Sequence, residues 1–253
     1  MEREELRRRV VDGVEAEIAL FAGCSERSSI VRMPGVLASV SPATPDRSIF
    51  NSVVASGPEP LVAALDELAT IYRDAGVHAW TVWVPDFDRA SGALLADRGH
   101  ALDGAPRGMA LELDELRPVP LPDGVEVAGG EMATIGSIND RAYGIDGPGW
   151  AAAMPNEPTI DVDSGLALVD GEPVACALVI ASGDDACVSA VATLPEHRGR
   201  GLAGALISRL LTAAGERGVR TGSLQASKAG APVYERLGFA DLGFIELWER
   251  REA

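Results

Sequence analysis

The stretch EHRGRGLAGAL, residues 196–206, has two arginines, a histidine and two glycines within five residues and then becomes apolar. Just before it, a strand is predicted to end near Thr193. After it, leucines recur at i, i+4 and i+8, a spacing that predicts an amphipathic helix through Gly215. These leucines are Leu202, Leu206 and Leu210. The stretch is therefore predicted to join a strand to the N-terminus of a helix.

This junction has the features of a diphosphate-binding site. The first N–H groups of a helix have no acceptor inside the helix, and the helix dipole places partial positive charge there. Gly199 and Gly201 let the backbone approach a ligand closely. Arg198 and Arg200 add positive charge and bidentate geometry. The residues therefore predict a diphosphate site, and the alternative is an ordinary helix start with solvated arginines.

Composition excludes several classes of protein. The 253 residues include 38 acidic and 22 basic ones, for a formal net charge of −16. Nucleic acid is not an expected partner, because a basic surface should dominate such binding. Three cysteines in no C-x-x-C arrangement suggest neither a disulfide framework nor a metal site. No signal peptide or membrane-spanning stretch is recognisable, so a cytoplasmic protein without a membrane partner is expected.

The proline-rich segment LRPVPLPDG, residues 116–124, is the predicted domain boundary. Its three prolines favour an extended chain and disfavour a helix. Two domains are therefore expected, over residues 1–117 and 118–253. In the second, several strands are followed by a helix, a strand, a helix and a last strand. This order predicts an α/β (α+β) fold with a mixed, partly parallel sheet flanked by helices.

Two segments of the second half resemble a known family. VATLPEHRGRGLAGALISRLL (residues 191–211) and LQASKAGAPVYERLGF (residues 224–239) are similar to the acyl-CoA-binding core of the GNAT N-acetyltransferases. Residues 198–203 match that family's R/Q-x-x-G-x-G/A element. The resemblance covers roughly residues 125–250. It implies a twisted GNAT sheet, acetyl-CoA as cosubstrate, no metal, and transfer of an acetyl group to an amine.

The resemblance also implies which residues contact the cosubstrate. The pantetheine arm should pair with the backbone of the strand before the junction, and a backbone N–H near Ala192 should stabilise the oxyanion. The diphosphate should bind the N–H groups of residues 199–204. Ser227 stands where the family often has an asparagine. The full implied set is Val191, Ala192, Thr193, Arg198, Gly199, Arg200, Gly201, Leu202, Ala203, Gly204 and Ser227.

Tyr234 is the implied general acid, because a protonated phenol can supply the proton that the departing thiolate needs. The predicted strand before the junction, ACVSAVAT (residues 186–193), holds no carboxylate that could deprotonate the amine, and Asp184 and Asp185 are assigned to the turn before it. Glu246 or a chain of waters stays open as the base. The acceptor is expected to be a small-molecule or peptide amine, and the loop at residues 143–155 is expected to shape its pocket. Its Tyr143, Trp150 and Met154 either line that pocket or pack under the loop. The alternative function is a non-catalytic acyl-CoA sensor.

The first half shows signs of an internal repeat. Gly76 corresponds to Gly218 and Gly99 to Gly238, at offsets of 142 and 139 residues. The first half is thus interpreted as a degenerate GNAT copy, and an unrelated α/β domain is the alternative. It lacks the R-x-x-G-x-G/A element, and Leu95 occupies the position of Tyr234. No cofactor and no catalysis are expected there.

Overall fold

The computed structural model describes residues 1–252, which form seven α-helices and twelve strands. The helices are α1 (Arg3–Gly23), α2 (Pro58–Asp74), α3 (Arg89–Asp97), α4 (Met132–Tyr143), α5 (Trp150–Ala153), α6 (Leu202–Glu216) and α7 (Ala231–Leu237). The strands are β1 (Ser29–Met33), β2 (Val36–Val40), β3 (Ser52–Ala55), β4 (Ala79–Pro85), β5 (Ala101–Gly104), β6 (Arg107–Glu112), β7 (Val125–Ala128), β8 (Val162–Val169), β9 (Glu172–Ser182), β10 (Asp185–Thr193), β11 (Thr221–Ala226) and β12 (Ala240–Arg251). None of these helices is long and apolar enough to cross a bilayer.

All strands belong to one sheet, in the order β1-β2-β3-β4-β12-β6-β11-β10-β9-β8-β7, with β5 paired to β12. The pairs β3–β4 and β10–β11 are parallel, and the other pairs are antiparallel. The predicted mixed, partly parallel sheet is therefore confirmed. Parallel neighbours need a crossover, and α2 and α6 provide it.

The same unit occurs twice along the chain. β3, α2, β4 and α3 follow one another as β10, α6, β11 and α7 do, and each unit has one parallel strand pair. Leu95 of α3 and Tyr234 of α7 are both buried. The repeat predicted from glycine spacing thus corresponds to a tandem arrangement of the fold.

The two units exchange strands at the centre of the sheet. β6, which follows the first unit, pairs with β11 of the second. β12, which follows the second unit, pairs with β4 of the first. The sheet is therefore continuous across the proline-rich segment, and the division at residues 117/118 stays a prediction.

Helices cover both faces of the sheet near β10. The Cys187 thiol points towards α1, where it donates a hydrogen bond to the Gly13 carbonyl (3.4 Å). The Cys176 thiol points to the same face and lies 3.8 Å from the Ile135 carbonyl of α4. On the other face, Gly165 of β8 approaches leucines of α6. The two sides of β10 are thus covered by different helices.

Strands β10 and β11 are joined only at one end. They pair over Asp185–Cys187 and Thr221–Ser223, and their later residues do not pair with each other. Asp185 is the first residue of β10, so its predicted place in the turn is wrong. It is fully buried, and its carboxylate accepts hydrogen bonds from the hydroxyls of Thr221 and Ser223 (2.6 Å each). These bonds fix the closed end of a gap between the strands.

Replacing Asp185 with Ala is expected to lower the free energy of unfolding by about 2–4 kcal/mol, because two buried hydroxyls lose their acceptor. Urea unfolding of wild type and variant measures the change. Glu126→Ala, at an exposed carboxylate of β7, is the control and should change stability by less than about 0.5 kcal/mol. Equal stability of Asp185→Ala and wild type would show that the carboxylate does not hold the strands together.

Candidate functional site

A bulge in β10 lies beside the open part of the gap. The register between β9 and β10 shifts between Ser189 and Ala192. Within this bulge, Ala190 has φ = 49°, a conformation that a residue with a side chain rarely adopts. Such strain of about 1–3 kcal/mol persists only where neighbouring groups impose it.

Two buried side chains stabilise the left-handed conformation of Ala190. The Ala190 carbonyl accepts hydrogen bonds from Nδ2 of Asn139 (3.1 Å) and from the Cys176 thiol (3.4 Å). Burial raises the pKa of Cys176 to about 12, so the thiol keeps its proton and remains a donor. The bulge is therefore held from α4 and β9.

Beyond the bulge, side chains already occupy two carbonyls of β10. The Val191 carbonyl accepts a hydrogen bond from the Tyr143 hydroxyl (3.0 Å). The Thr193 carbonyl accepts one from Nε of Arg198 (3.1 Å). Val191, Thr193 and the buried Ala192 form the edge predicted to pair with pantetheine. Pairing at these two carbonyls would require the side chains to move, and Tyr143 is 57% exposed.

The junction itself has the predicted form. After a 3-10 turn at Pro195–His197, Gly199 (φ = 76°) and Gly201 (φ = 81°) adopt left-handed conformations. A Cβ at either glycine would meet no atom within 4 Å, so backbone conformation, not space, favours glycine. No side chain caps α6, and its first intrahelical bond runs from Ala205 N to Gly201 O (3.0 Å). The amides before Ala205 are therefore available to a ligand. We call residues 199–204 the cradle.

The two arginines differ in their surroundings. Arg198 Nη2 donates to the Ala142 carbonyl (2.6 Å), so Arg198 ties the junction to α4 as well as to β10. Arg200 is exposed and its Nη1 lies 3.0 Å from Nδ1 of His197. Arg200 is free to turn towards an anion, whereas Arg198 already has two acceptors. Phosphate contact by either residue stays a prediction.

Of the other residues predicted to contact the cosubstrate, some are buried and one is exposed. Leu202 and Gly204 of α6 are buried and Ala203 is half-buried, so these three offer backbone amides more than side chains. Ser227 is exposed, and its Oγ accepts a hydrogen bond from Gly230 N (3.1 Å) at the start of α7. Its hydroxyl hydrogen can still reach a ligand.

Tyr234 lies on α7 and is 8% exposed. Its ring packs edge-on against Phe239, with centroids 5.9 Å apart. Burial raises the pKa of the Tyr234 hydroxyl well above its ordinary value, and the charges of Tyr143 and Glu17 raise it further. The phenol is therefore a proton donor throughout the physiological pH range.

Sequence reasoning missed Glu17. This residue of α1 is half-buried, and its carboxylate accepts a hydrogen bond from the Ser189 hydroxyl, next to the bulge. Burial raises the pKa of Glu17 to about 7, although the Ser189 bond acts in the opposite direction. The only sequence signal was an acidic residue between two apolar residues of an amphipathic helix, Ala16 and Ile18.

Glu246, which was considered as a base beside a chain of waters, does not lie on β10 or β11. It is on β12 beside Val84 of β4, and its carboxylate accepts a hydrogen bond from the Trp248 indole (2.8 Å). Within residues 1–252, no three His, Cys, Asp or Glu side chains form a group that could hold a metal ion.

The loop after α4 is mostly packed. The Trp150 ring meets the rings of Phe21 and Phe50 edge-on, at centroid distances of 5.8 and 5.2 Å. Met154 is fully buried. Of the three residues expected to line a pocket or pack under the loop, these two pack, and Tyr143 reaches β10.

Comparison with known protein families gives one match, within the carboxyl-terminal half. Residues 163–241 match the family described as "Acetyltransferase (GNAT) domain". This segment is a GNAT domain. It contains β10, the cradle, α6 and Tyr234. No curated protein matches the chain at a significant level.

Solved structures share the whole fold. A GCN5-related N-acetyltransferase from Kribbella flavida is 21% identical, with a TM-score of 0.68, and the match covers 94% of this chain and 96% of that one. One from Sphaerobacter thermophilus is 19% identical, with a TM-score of 0.60, over 95% and 93%. A tandem GNAT protein from the clavulanic acid biosynthesis pathway is 15% identical, with a TM-score of 0.57, over 98% and 95%. These likenesses establish the tandem GNAT fold.

Asn139→Ala tests whether the hydrogen bond from Asn139 to the Ala190 carbonyl stabilises the bulge in the GNAT domain. We expect the free energy of unfolding to fall by about 1–3 kcal/mol, because the buried Ala190 carbonyl loses a donor. Chemical denaturation measures this change. Asn156→Ala, at an exposed asparagine, should have the stability of wild type. An Asn139→Ala protein as stable as the control would show that the bulge does not need this side chain.

Proposed function

We propose that this protein transfers an acetyl group from acetyl-CoA to a primary amine. The observation that carries the proposal is the uncapped start of α6, with Gly199 and Gly201 left-handed, at the open end of the gap between β10 and β11. The GNAT domain at residues 163–241 supports an acyltransferase in general. The donor, the acceptor class and the roles of individual residues belong to the proposal.

The residues present fit a CoA thioester. Amides of the cradle have no intrahelical acceptor and suit a diphosphate. Arg200 lies beside them, and the backbone of Val191–Thr193 can pair with the amides of a pantetheine arm. This arm would run along the gap and bring the thioester to the bulge.

At the bulge, the protein supplies the groups that acyl transfer needs. A backbone N–H near Ala192 stabilises negative charge on the thioester oxygen. The amine nitrogen attacks the carbonyl carbon, a nitrogen–carbon bond forms and the carbon–sulfur bond breaks. Tyr234 donates its proton to the departing sulfur, which leaves as the thiol.

The acceptor is a small-molecule or peptide amine. Its cationic form is attracted by the protein's net charge of −16, which also disfavours nucleic acid as a partner. Cytoplasmic location remains part of the proposal. The alternative, an acyl-CoA sensor without catalysis, shares the cradle but requires no proton donor.

Gly201→Val tests the cradle. Because φ = 81° at this position is costly for a β-branched residue, we expect the loop to change and acetyl-CoA to bind at least tenfold more weakly by calorimetry. For wild type, ligand at 100 times Kd should add about 2.7 kcal/mol of stability.

Gly218→Val is the matched control, since Gly218 has φ = 92° and open space around it but lies at the far end of α6. It should carry a similar strain and bind acetyl-CoA like wild type. Equal affinities of Gly201→Val and Gly218→Val would contradict the assignment of the cradle.

Tyr234→Phe tests the proton donor and separates an enzyme from a sensor. We expect kcat for thiol release to fall by about 10²–10⁴-fold with little change in acetyl-CoA affinity. The acceptors are a diamine, an amino sugar, an amino acid and a short peptide. Tyr72→Phe, whose hydroxyl donates to the buried Ser39 carbonyl (2.9 Å), should lose stability and keep its rate.

Two results would count against this role. A Phe variant as fast as wild type would show that Tyr234 is not the acid. A wild-type protein that binds acetyl-CoA and releases thiol with none of the four amines would favour the sensor.

A further inference from the structure

Glu17 reaches the bulge from the face of the sheet opposite α6. The hydrogen bond from Ser189 places its carboxylate at the residue preceding Ala190. Cys187, two residues before Ser189 on β10, also contacts α1, because its thiol donates a hydrogen bond to a carbonyl of this helix. Glu17 therefore borders the gap on the side away from the cradle.

Tyr234 lies on α7, on the other side of the sheet from α1. α7 packs against α6, which covers the opposite face. Glu17 is nevertheless close enough that its charge is one of the influences on the Tyr234 hydroxyl. If the pantetheine arm runs along the gap as proposed, the carboxylate and the phenol lie on opposite sides of the thioester carbonyl.

The Ser189 hydroxyl is the one hydrogen-bond partner of the Glu17 carboxylate among residues 1–252. Among the ion pairs of residues 1–252, none includes Glu17. The titratable groups whose pKa its charge raises are Cys187 of β10 and Tyr234 of α7, and neither is cationic. A partly buried carboxylate without a counter-charge destabilises the fold, which indicates a function.

We propose that Glu17 holds the ammonium group of the acceptor on the α1 side of the gap and takes its first proton. This inference rests on the proposed function and names the base that the chemistry requires. The carboxylate supplies the missing counter-charge for a primary ammonium ion. It also selects protonated amines over neutral nucleophiles.

The protons and electrons balance. One proton passes from the ammonium group to the Glu17 carboxylate, and the freed nitrogen lone pair attacks the thioester carbon. The carbon–sulfur electron pair leaves with sulfur, which takes the Tyr234 proton. The second proton on nitrogen goes to the Tyr234 phenolate, and Glu17 releases its proton to water. The products are the amide, the thiol and one proton.

The pH dependence follows from the need for ionised Glu17. Because the raised pKa of this carboxyl is about 7, kcat/KM should rise with pH through about 7 and level off above it. The Ser189 bond favours the ionised form. Ser189→Ala should therefore move the rising limb to higher pH without removing it.

Glu17→Gln is the central test, with the best of the four amines as acceptor. The variant keeps an oxygen that can accept the Ser189 bond. We expect kcat/KM at pH 7.5 to fall by about 10²–10⁴-fold, the limb near pH 7 to disappear, and the Kd for acetyl-CoA to stay unchanged. Glu15→Gln, at an exposed carboxylate of the same helix, is the control and should keep the wild-type profile.

Thermal unfolding gives a second readout. A carboxyl whose folded pKa is raised from 4.5 to about 7 destabilises the native state as pH rises through that interval. Glu17→Gln should therefore melt several degrees above wild type at pH 8, and this difference should shrink towards pH 5. A merely structural carboxylate would give the opposite sign.

Wild-type activity and pH profile in Glu17→Gln would overturn the inference and leave the proposed function intact. A Glu17→Gln protein that melts below wild type at pH 8 and no longer binds acetyl-CoA would also overturn the inference. Glu17 would then have only a structural role. A wild-type protein that binds acetyl-CoA but acetylates none of the amines would overturn the proposed function, and the inference with it.

Discussion

The separation of two parallel strands is the constraint on which the site depends. β10 and β11 are held together at one end by the buried Asp185 carboxylate and its two hydroxyl donors. Their pairing ends at Cys187 and Ser223, and the bulge at Ala190 follows in β10. A sheet without this bulge would satisfy its own backbone groups and leave none for a ligand. Asn139 and Cys176 offset the strain at Ala190 by satisfying its carbonyl.

The tandem arrangement explains why the amino-terminal half can lack a cradle and still be needed. Pro58 and Pro60 lie in the first turn of α2, where they remove two of the N–H groups that the equivalent turn of α6 presents. The same half supplies β6, which pairs with β11 beside the gap, and α1, which carries Glu17. It thus provides a wall of the site and, in our proposal, its base.

Local features were predictable from the sequence because they depend on neighbouring residues. Residues 196–206 showed a strand-to-helix junction, and the glycine offsets showed a repeat. The exchange of β6 and β12 was not predictable, since strand pairing over a hundred residues leaves no local signal. Glu17 was missed for the same reason: its partner Ser189 is 172 residues away. The role of Arg198 was only partly visible, because backbone carbonyls, which have no sequence signature, accept its hydrogen bonds.

The most direct test of the central claim is a crystal structure of the full chain with CoA. Our account predicts the diphosphate against the amides of residues 199–204 and the pantetheine arm between β10 and β11, with its sulfur beside the Tyr234 hydroxyl. CoA bound elsewhere, or a gap that stays closed by Tyr143 and Arg198 at saturating CoA, would contradict it.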